Sequence, residues 1–268
     1  MISREALASR LERGKYSLDR VLRRVGFDPT VIRQGRGFDD ADEETIRFVG
    51  PETMATAERV AAVCQAVRYL SRHGIEGAVV ECGVWRGGMM MAAARTLLEA
   101  GDVRPLYLYD TFTGMTEPSA ADVDAKGRTA ATGMRRYGLD DSGNSLWCNA
   151  SVDIVRANLA RTGYPMDQVH LVEGPVEETL PATLPGPVAL LRLDTDWYES
   201  TAHELRHLFP LLVGHGVLVI DDYGHWKGSR RAVDEYLAGV DVPVLLNRTD
   251  YTGRVAVIPP RPQGPGGR

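Results

Sequence analysis

Gly77-Ala78-Val79-Val80-Glu81-Cys82-Gly83-Val84-Trp85-Arg86-Gly87-Gly88 is the stretch that decides the fold. Residues 77–80 read as a short buried strand that Glu81 ends. The glycines then make a tight turn, and Met89-Met90-Met91-Ala92-Ala93-Ala94-Arg95-Thr96-Leu97-Leu98-Glu99-Ala100 reads as a helix stopped at Gly101. A strand, a glycine turn and a helix form the opening unit of a nucleotide-binding α/β sheet. Glycine permits close approach of the backbone to a ligand, and the helix N-terminus presents free N–H groups.

The glycine spacing narrows the ligand. A dinucleotide fingerprint requires G-x-G-x-x-G. Here its middle position is Trp85, which leaves little room for a pyrophosphate and speaks against a nicotinamide-dependent oxidoreductase. An acidic residue at the strand end suits a cationic amine, and S-adenosylmethionine carries one without any phosphate. A turn that merely joins strand to helix also fits this stretch taken alone.

Working outward, residues 51–72 read as a helix with Val60, Val63, Ala66, Val67 and Leu70 on its apolar face and Thr53 or Thr56 as its cap. Pro105-Leu106-Tyr107-Leu108-Tyr109-Asp110 is a second strand. Its terminal Asp110 is placed to accept hydrogen bonds from ribose hydroxyls. Three more strands follow, at residues 169–174, 187–194 and 216–222, separated by helices at 152–162 and 200–212. A helix at 229–239 precedes two strands, 242–247 and 254–259, joined around Asp250-Tyr251-Thr252-Gly253 as a hairpin. This alternation predicts a doubly wound α/β fold. Its mostly parallel, seven-stranded, Rossmann-like sheet would end in an antiparallel hairpin.

Residues 1–50 form an N-terminal helical extension in this reading, with Leu7, Leu11, Leu18, Val21, Leu22 and Val25 among many arginines at 4–25 and a short helix at 42–48. A solvated cap and a helix packed on a partner subunit both fit. Residues 51–259 form the α/β domain in this reading. Within it, residues 113–147 are rich in Ala, Gly, Ser and Asp, as expected of a substrate lid or a loop excursion. Residues 260–268 read as a flexible tail.

A net charge of −5 argues against a nucleic-acid partner, and no run approaches the ~20 apolar residues of a membrane span. The first residues lack a signal peptide's apolar run. Cys64, Cys82 and Cys148 make neither a disulfide framework nor a zinc cluster. The expectation is a cytoplasmic protein.

Ligands of such sheets bind outside the carboxyl ends of the strands. Glu81, Asp110, Asp194 and the pair Asp221-Asp222 stand at four of the five parallel strand ends. Asp194-Thr195-Asp196-Trp197-Tyr198 and Asp221-Asp222-Tyr223-Gly224-His225-Trp226 close consecutive strands and bring four carboxylates to one edge. Four close anions repel, which a divalent cation relieves; all-oxygen ligation favours magnesium, calcium or manganese over zinc. One carboxylate is then left over as a base. Asp194 and Asp196 share a side of an extended strand, whereas Asp221 and Asp222 reach one site only where the strand breaks. His225 suits substrate contact or an auxiliary acid–base role. Trp197, Tyr198 and Trp226 form either an aromatic wall for a sugar or ordinary packing.

These residues resemble the macrocin O-methyltransferase family, whose members methylate sugar hydroxyls of natural products. The likeness spans residues 50–258. It runs through Thr53-Met54 with Glu58-Arg59, the 80–88 stretch, Tyr109-Asp110-Thr111-Phe112 with Gly114-Met115, Val172-Glu173-Gly174 with Thr179-Leu180-Pro181, Leu193 to Tyr198 with Ser200-Thr201, and Asp221-Asp222-Tyr223 with Trp226, Gly228 and Arg230. The resemblance implies a class I methyltransferase fold, S-adenosylmethionine as methyl donor and Mg2+. It implies Asp194, Asp221 and Asp222 as metal ligands and Asp196 as general base, with His225 as the fallback. The implied cofactor cradle comprises Thr53, Met54, Glu81, Gly83, Val84, Trp85, Arg86, Gly88, Asp110, Thr111, Phe112, Gly114, Gly174, Val176, Asp194 and Thr195. A small-molecule glycoside is the implied acceptor, and a homodimer or higher homo-oligomer, dimerising through residues 1–50, is the expected assembly. A catechol-type methyltransferase and a non-catalytic cofactor-binding protein are the alternatives left by the sequence.

Overall fold

The computed structural model describes residues 37–138 and 147–260. The expected helices at 4–25 and the tail from 261 lie outside the described residues. The chain divides into two compact units, Met1–Glu43 and Glu44–Arg268. Helix α1 is Asp40–Val49, two residues longer at its start than the acidic run suggested.

The second unit is built on a seven-stranded sheet of order β3-β2-β1-β4-β5-β7-β6. Its strands are β1 (Ala78–Cys82), β2 (Leu106–Asp110), β3 (Val169–Glu173), β4 (Val188–Leu193), β5 (Leu212–Ile220), β6 (Asn247–Arg248) and β7 (Arg254–Val257). The first five are parallel, and β7 runs antiparallel to both β5 and β6. The chain winds outward from β1 through β2 to β3, then returns to lay β4 and β5 on β1's other side. That reversal opens a crevice at the carboxyl ends of β1 and β4, where such sheets bind ligands.

Both faces of the sheet are covered. In β1 and β5 successive residues point to opposite faces, as a strand demands. Val79, Val217 and Val219 pack with α2 (Ala57–Arg72), α3 (Gly88–Glu99) and α5 (Val152–Ala160). Val80, Leu218 and Ile220 pack with α7 (Tyr198–Leu208) and α8 (Lys227–Ala238). The Met-Ala run of α3 is buried from Met89 to Ala94, because that helix is enclosed by the sheet, α2 and α5.

Several boundaries differ from the sequence reading, for physical reasons. The helix expected from Pro51 is a 3-10 turn at Gly50–Glu52 followed by an extended Thr53. Helix α2 begins only after Thr56, whose hydroxyl accepts the Arg59 N–H at 3.3 Å. The strand expected at 242–247 shrinks to Asn247–Arg248. Pro243 has no N–H for a ladder, and Leu245 is 74% exposed. The segment 113–147 is more than loop. It carries a bridge between Val123 and Thr129 and helix α4 (Ala130–Tyr137), with Asp122 and Asp124 buried; residues 139–146 lie outside the described residues. The remaining helix, α6 (Val176–Thr179), follows β3.

Candidate active site

The crevice holds a cavity of ≈ 280 Å³, at the small end of the roughly 300–1,000 Å³ of small-molecule sites. One wall is the glycine turn. Gly83 has φ +78, and a Cβ there would overlap the backbone carbonyl of Asp194. The glycine is thus required by the close approach of β1 to β4's exit, in addition to any ligand. Trp85 also takes a positive φ of 46 in this turn. Asp110 organises the turn: its Oδ2 accepts the N–H of Val84 at 2.6 Å and of Trp85 at 3.0 Å, and its Oδ1 accepts that of Phe112 at 2.8 Å. Burial pushes its carboxyl up, against these three donors.

Thr53, Met54, Val84, Gly88 and Gly114 complete this side of the cavity. A smaller adjoining cavity is lined by Thr111, Gly174, Val176, Thr195 and Ser200. Three residues of the expected cradle are placed elsewhere. Phe112 is buried in the core with α3 and α5. Arg86 turns to Glu52, at 2.6 Å. Strand β1 continues to Cys82, so Glu81 sits inside it and not at its end. The Glu81 side chain is buried and paired with Arg192. Burial pushes the Glu81 carboxyl up to about 8 while Arg192 pulls it down.

The opposite wall carries the carboxylates. Asp194, Asp196, Asp221 and Asp222 all line the cavity. Strand β5 ends at Ile220, so both following aspartates turn into one site. Strand β4 ends at Leu193, and Asp196 reaches the same place through a left-handed backbone, φ +67, and not along an extended strand. One carboxylate oxygen from each of Asp194, Asp221 and Asp222 lies within 4.8 Å of the other two. Burial, followed by Asp196 and Asp194, pushes the Asp222 carboxyl well up. Burial likewise pushes Asp196 up to about 7, with Asp194 adding to the rise.

Two arginines share this negative charge. Arg192, mid-strand in β4 and 1% exposed, contacts Glu81, Asp194 at 2.8 Å and Asp221 at 2.5 Å. Arg59, from α2, pairs with Asp221 and lies 3.2 Å from Asp250. Sequence reasoning missed both. A lone charge inside the apolar run Val188-Ala189-Leu190-Leu191-Arg192-Leu193 was the available signal, because a buried strand tolerates a cation only beside anions. Among the described residues no cation contacts Asp222, and its Oδ2 is buried without a hydrogen-bond partner. Hard oxygen donors, an orphaned buried oxygen and three converging carboxylates fit a divalent cation of the magnesium or calcium kind.

The mouth is aromatic. Trp147, Trp197 and Trp226 cluster with ring centroids 5.1–6.3 Å apart, and Trp147 and Trp226 face the cavity. His225 also lines it, with its Nδ1 3.4 Å from the Tyr251 hydroxyl; burial lowers its pKa. Tyr198 points away, to Glu235.

Behind the site lies a buried acid outside every expectation. Glu204 on α7 is fully buried, with the Thr195 hydroxyl as its polar neighbour and no cation beside it among the described residues. Burial raises its pKa well above the carboxylate range. A group with a raised folded-state pKa keeps a proton that the unfolded chain has lost, so it costs the fold stability progressively from the unfolded pKa up to the folded one. Glu204→Gln is therefore expected to leave stability unchanged at pH 5 and to raise it increasingly toward pH 9, as read by urea denaturation at the two pH values.

A doubly wound sheet with an antiparallel β7 and an acidic crevice at the β1–β4 switch point defines a class I methyltransferase. Residues 49–256 match the family model of the macrocin O-methyltransferases (TylF). The chain is 33% identical over 221 residues to the 8-demethyl-8-(2,3-dimethoxy-alpha-L-rhamnosyl)-tetracenomycin-C 4'-O-methyltransferase of Streptomyces olivaceus, covering 81% of this chain and 80% of that protein. It is 32% identical over 203 residues to the demethyldecarbamoylnovobiocin O-methyltransferase of Streptomyces niveus, with 75% and 73% covered. Among solved structures, the O-methyltransferase NovP superposes with a TM-score of 0.65 at 30% identity, over 78% of this chain and 83% of that one. The chain belongs to the macrocin O-methyltransferase family and is a methyltransferase. No described helix is long and apolar enough to cross a membrane.

Proposed function

We propose that the protein transfers a methyl group from S-adenosylmethionine to a sugar hydroxyl of a glycosylated natural product, with magnesium at Asp194, Asp221 and Asp222. The observation that carries the reading is the convergence of four carboxylates beside the glycine turn, one of them with an orphaned buried oxygen. The names of the relatives, one a rhamnosyl-tetracenomycin and one a novobiocin methyltransferase, support a natural-product glycoside as acceptor.

Bound S-adenosylmethionine would supply an electrophilic methyl group, and a divalent cation held by Asp194, Asp221 and Asp222 would supply Lewis acidity to the acceptor hydroxyl. Gly83, Val84, Trp85 and Asp110 would hold the amino-acid and ribose parts of the cofactor. Gly174, Val176 and Thr195, in the smaller cavity, would hold the base. Asp196 receives the acceptor proton at a carboxylate oxygen. Burial, with the neighbouring Asp194 charge adding to it, keeps it basic enough for the task. Trp147 and Trp226 flank the acceptor and exclude water. Arg192 and Arg59 fix Asp221 and so the geometry of the triad. The same reading keeps the protein a cytoplasmic homo-oligomer, in line with three free cysteines.

The test is calorimetric titration of S-adenosylhomocysteine and of magnesium into the wild type and Asp222→Ala. Removing Asp222 leaves no arginine unpaired. The expected result is cofactor-product binding by both proteins and magnesium binding by the wild type alone. No S-adenosylhomocysteine binding by the wild type would overturn the cofactor assignment. Equal magnesium binding by the two proteins would overturn the metal assignment.

A further inference from the structure

Helices α7 and α8 start directly behind the two carboxylate turns. Trp197 caps α7 one residue after Asp196, and Trp226 caps α8 four residues after Asp222. Tryptophan has no side-chain acceptor for the orphan N–H groups of a helix start, and neither gives a side-chain cap here. The acceptors come from a single distant dipeptide, Asp122-Val123. Asp122 Oδ1 accepts the Tyr198 N–H at 2.8 Å, and the Val123 carbonyl accepts the Lys227 N–H at 2.9 Å. Asp122 is 0% exposed. Its second oxygen accepts the Ser119 N–H at 2.7 Å and the Ser119 hydroxyl at 2.8 Å, and its carbonyl accepts the Ala130 N–H at 2.8 Å.

Gly228, in the first turn of α8, makes this seat. A Cβ there would overlap Asp122 Oδ1 and lie 3.1 Å from the Tyr198 nitrogen. The two helix starts and the carboxylate therefore meet where only glycine fits. Two flanking contacts tie the same segment to the same turns: the Trp197 indole N–H donates to the Thr116 carbonyl at 3.0 Å, and Asp124 bridges to Trp226.

We propose that Asp122 is a positioning residue of the carboxylate cluster. Seated between the first turns of α7 and α8 in the space that Gly228 leaves, it fixes the spacing of the turn bearing Asp194 and Asp196 against the turn bearing Asp221 and Asp222. The effect on metal affinity rests on the magnesium assignment above; the effect on the helix starts does not.

The experiment compares Asp122→Ala, Asp122→Asn and Gly228→Ala with the wild type, by calorimetry with magnesium and with S-adenosylhomocysteine and by hydrogen exchange. Asp122→Ala and Gly228→Ala are each expected to weaken magnesium binding about tenfold, the lower end of what losing an outer-shell partner costs. S-adenosylhomocysteine affinity falls less than magnesium affinity, since Asp122 touches none of the glycine turn and reaches the cofactor cavity only through the turn that carries Thr195. Both speed amide exchange in the first turns of α7 and α8 together. Asp122→Asn keeps an acceptor for the Tyr198 N–H and recovers most of the affinity. Faster exchange confined to residues 115–138, or wild-type exchange at both helix starts, overturns the proposal. A wild type that binds no magnesium sinks the metal reading, and exchange at Tyr198 and Lys227 then decides the role of Asp122 alone. Gly228→Ala keeps the aspartate but pushes its carboxylate off the helix starts, and decides the matter should Asp122→Ala fail to fold.

Discussion

Asp196→Asn is expected to cut methyl-transfer turnover by about 10²–10⁴-fold, the usual worth of a positioned general base. S-adenosylhomocysteine binding should be unchanged. The substitution isolates the proton-accepting role for a backbone reason. Asp196 sits at φ +67, in the left-handed region, where asparagine is among the few residues that fit without strain. Alanine at this position would disturb the turn that also carries Asp194, and its effect would mix geometry with chemistry. Asparagine keeps shape and backbone and removes only basicity. Steady-state methyl transfer, with calorimetry for the cofactor product, checks the expectation. Undiminished turnover would remove Asp196 from the role and pass it to His225, which lines the same cavity.

The parts of this molecule legible in the sequence are those where local chemistry and local structure coincide. Strands β1 and β4 are buried runs that are apolar but for Glu81 and Arg192, and the turn at 83–88 announces itself by its glycines. The aspartates after β4 and β5 are legible because a carboxylate at the end of a buried strand has nowhere to go but the crevice. What the sequence hid is pairing at long range. Glu81 looks like a strand-end ligand, and only the adjacency of β1 and β4 shows that it answers to Arg192. Asp122 looks like one more polar residue in a segment rich in Ala, Gly, Ser and Asp. Its burial between two helix starts depends on contacts some 76 residues away along the chain. The strand expected at 242–247 failed for the opposite reason, since a short apolar run mimics a strand where Pro243 and the exposed Leu245 leave only two paired positions.

Arg192 carries the largest stability effect. Its guanidinium is the cation shared by Glu81, Asp194 and Asp221, in a strand where every residue is buried. Bringing a lone arginine there would be prohibitive, and so would three carboxylates without it; each makes the other tolerable. Arg192→Leu fits the strand sterically but leaves Glu81 and Asp194 without their cation and Asp221 with Arg59 alone, so the expected loss is about 3–5 kcal/mol in urea denaturation. Unpaired buried carboxylates are better tolerated when protonated, so their folded-state pKa values rise and the deficit should deepen as pH increases from 5.5 to 8. Arg192→Lys keeps the charge but offers one compact ammonium where a planar fork serves three acceptors, and should recover only part of the loss. Adding magnesium should narrow the gap between Arg192→Leu and the wild type if the cation reaches Asp194 and Asp221, because a ligand that binds only the folded state stabilises it. A leucine variant as stable as the wild type at pH 8 would mean that the cluster is neutralised by protons, leaving Arg192 with no electrostatic role in the site.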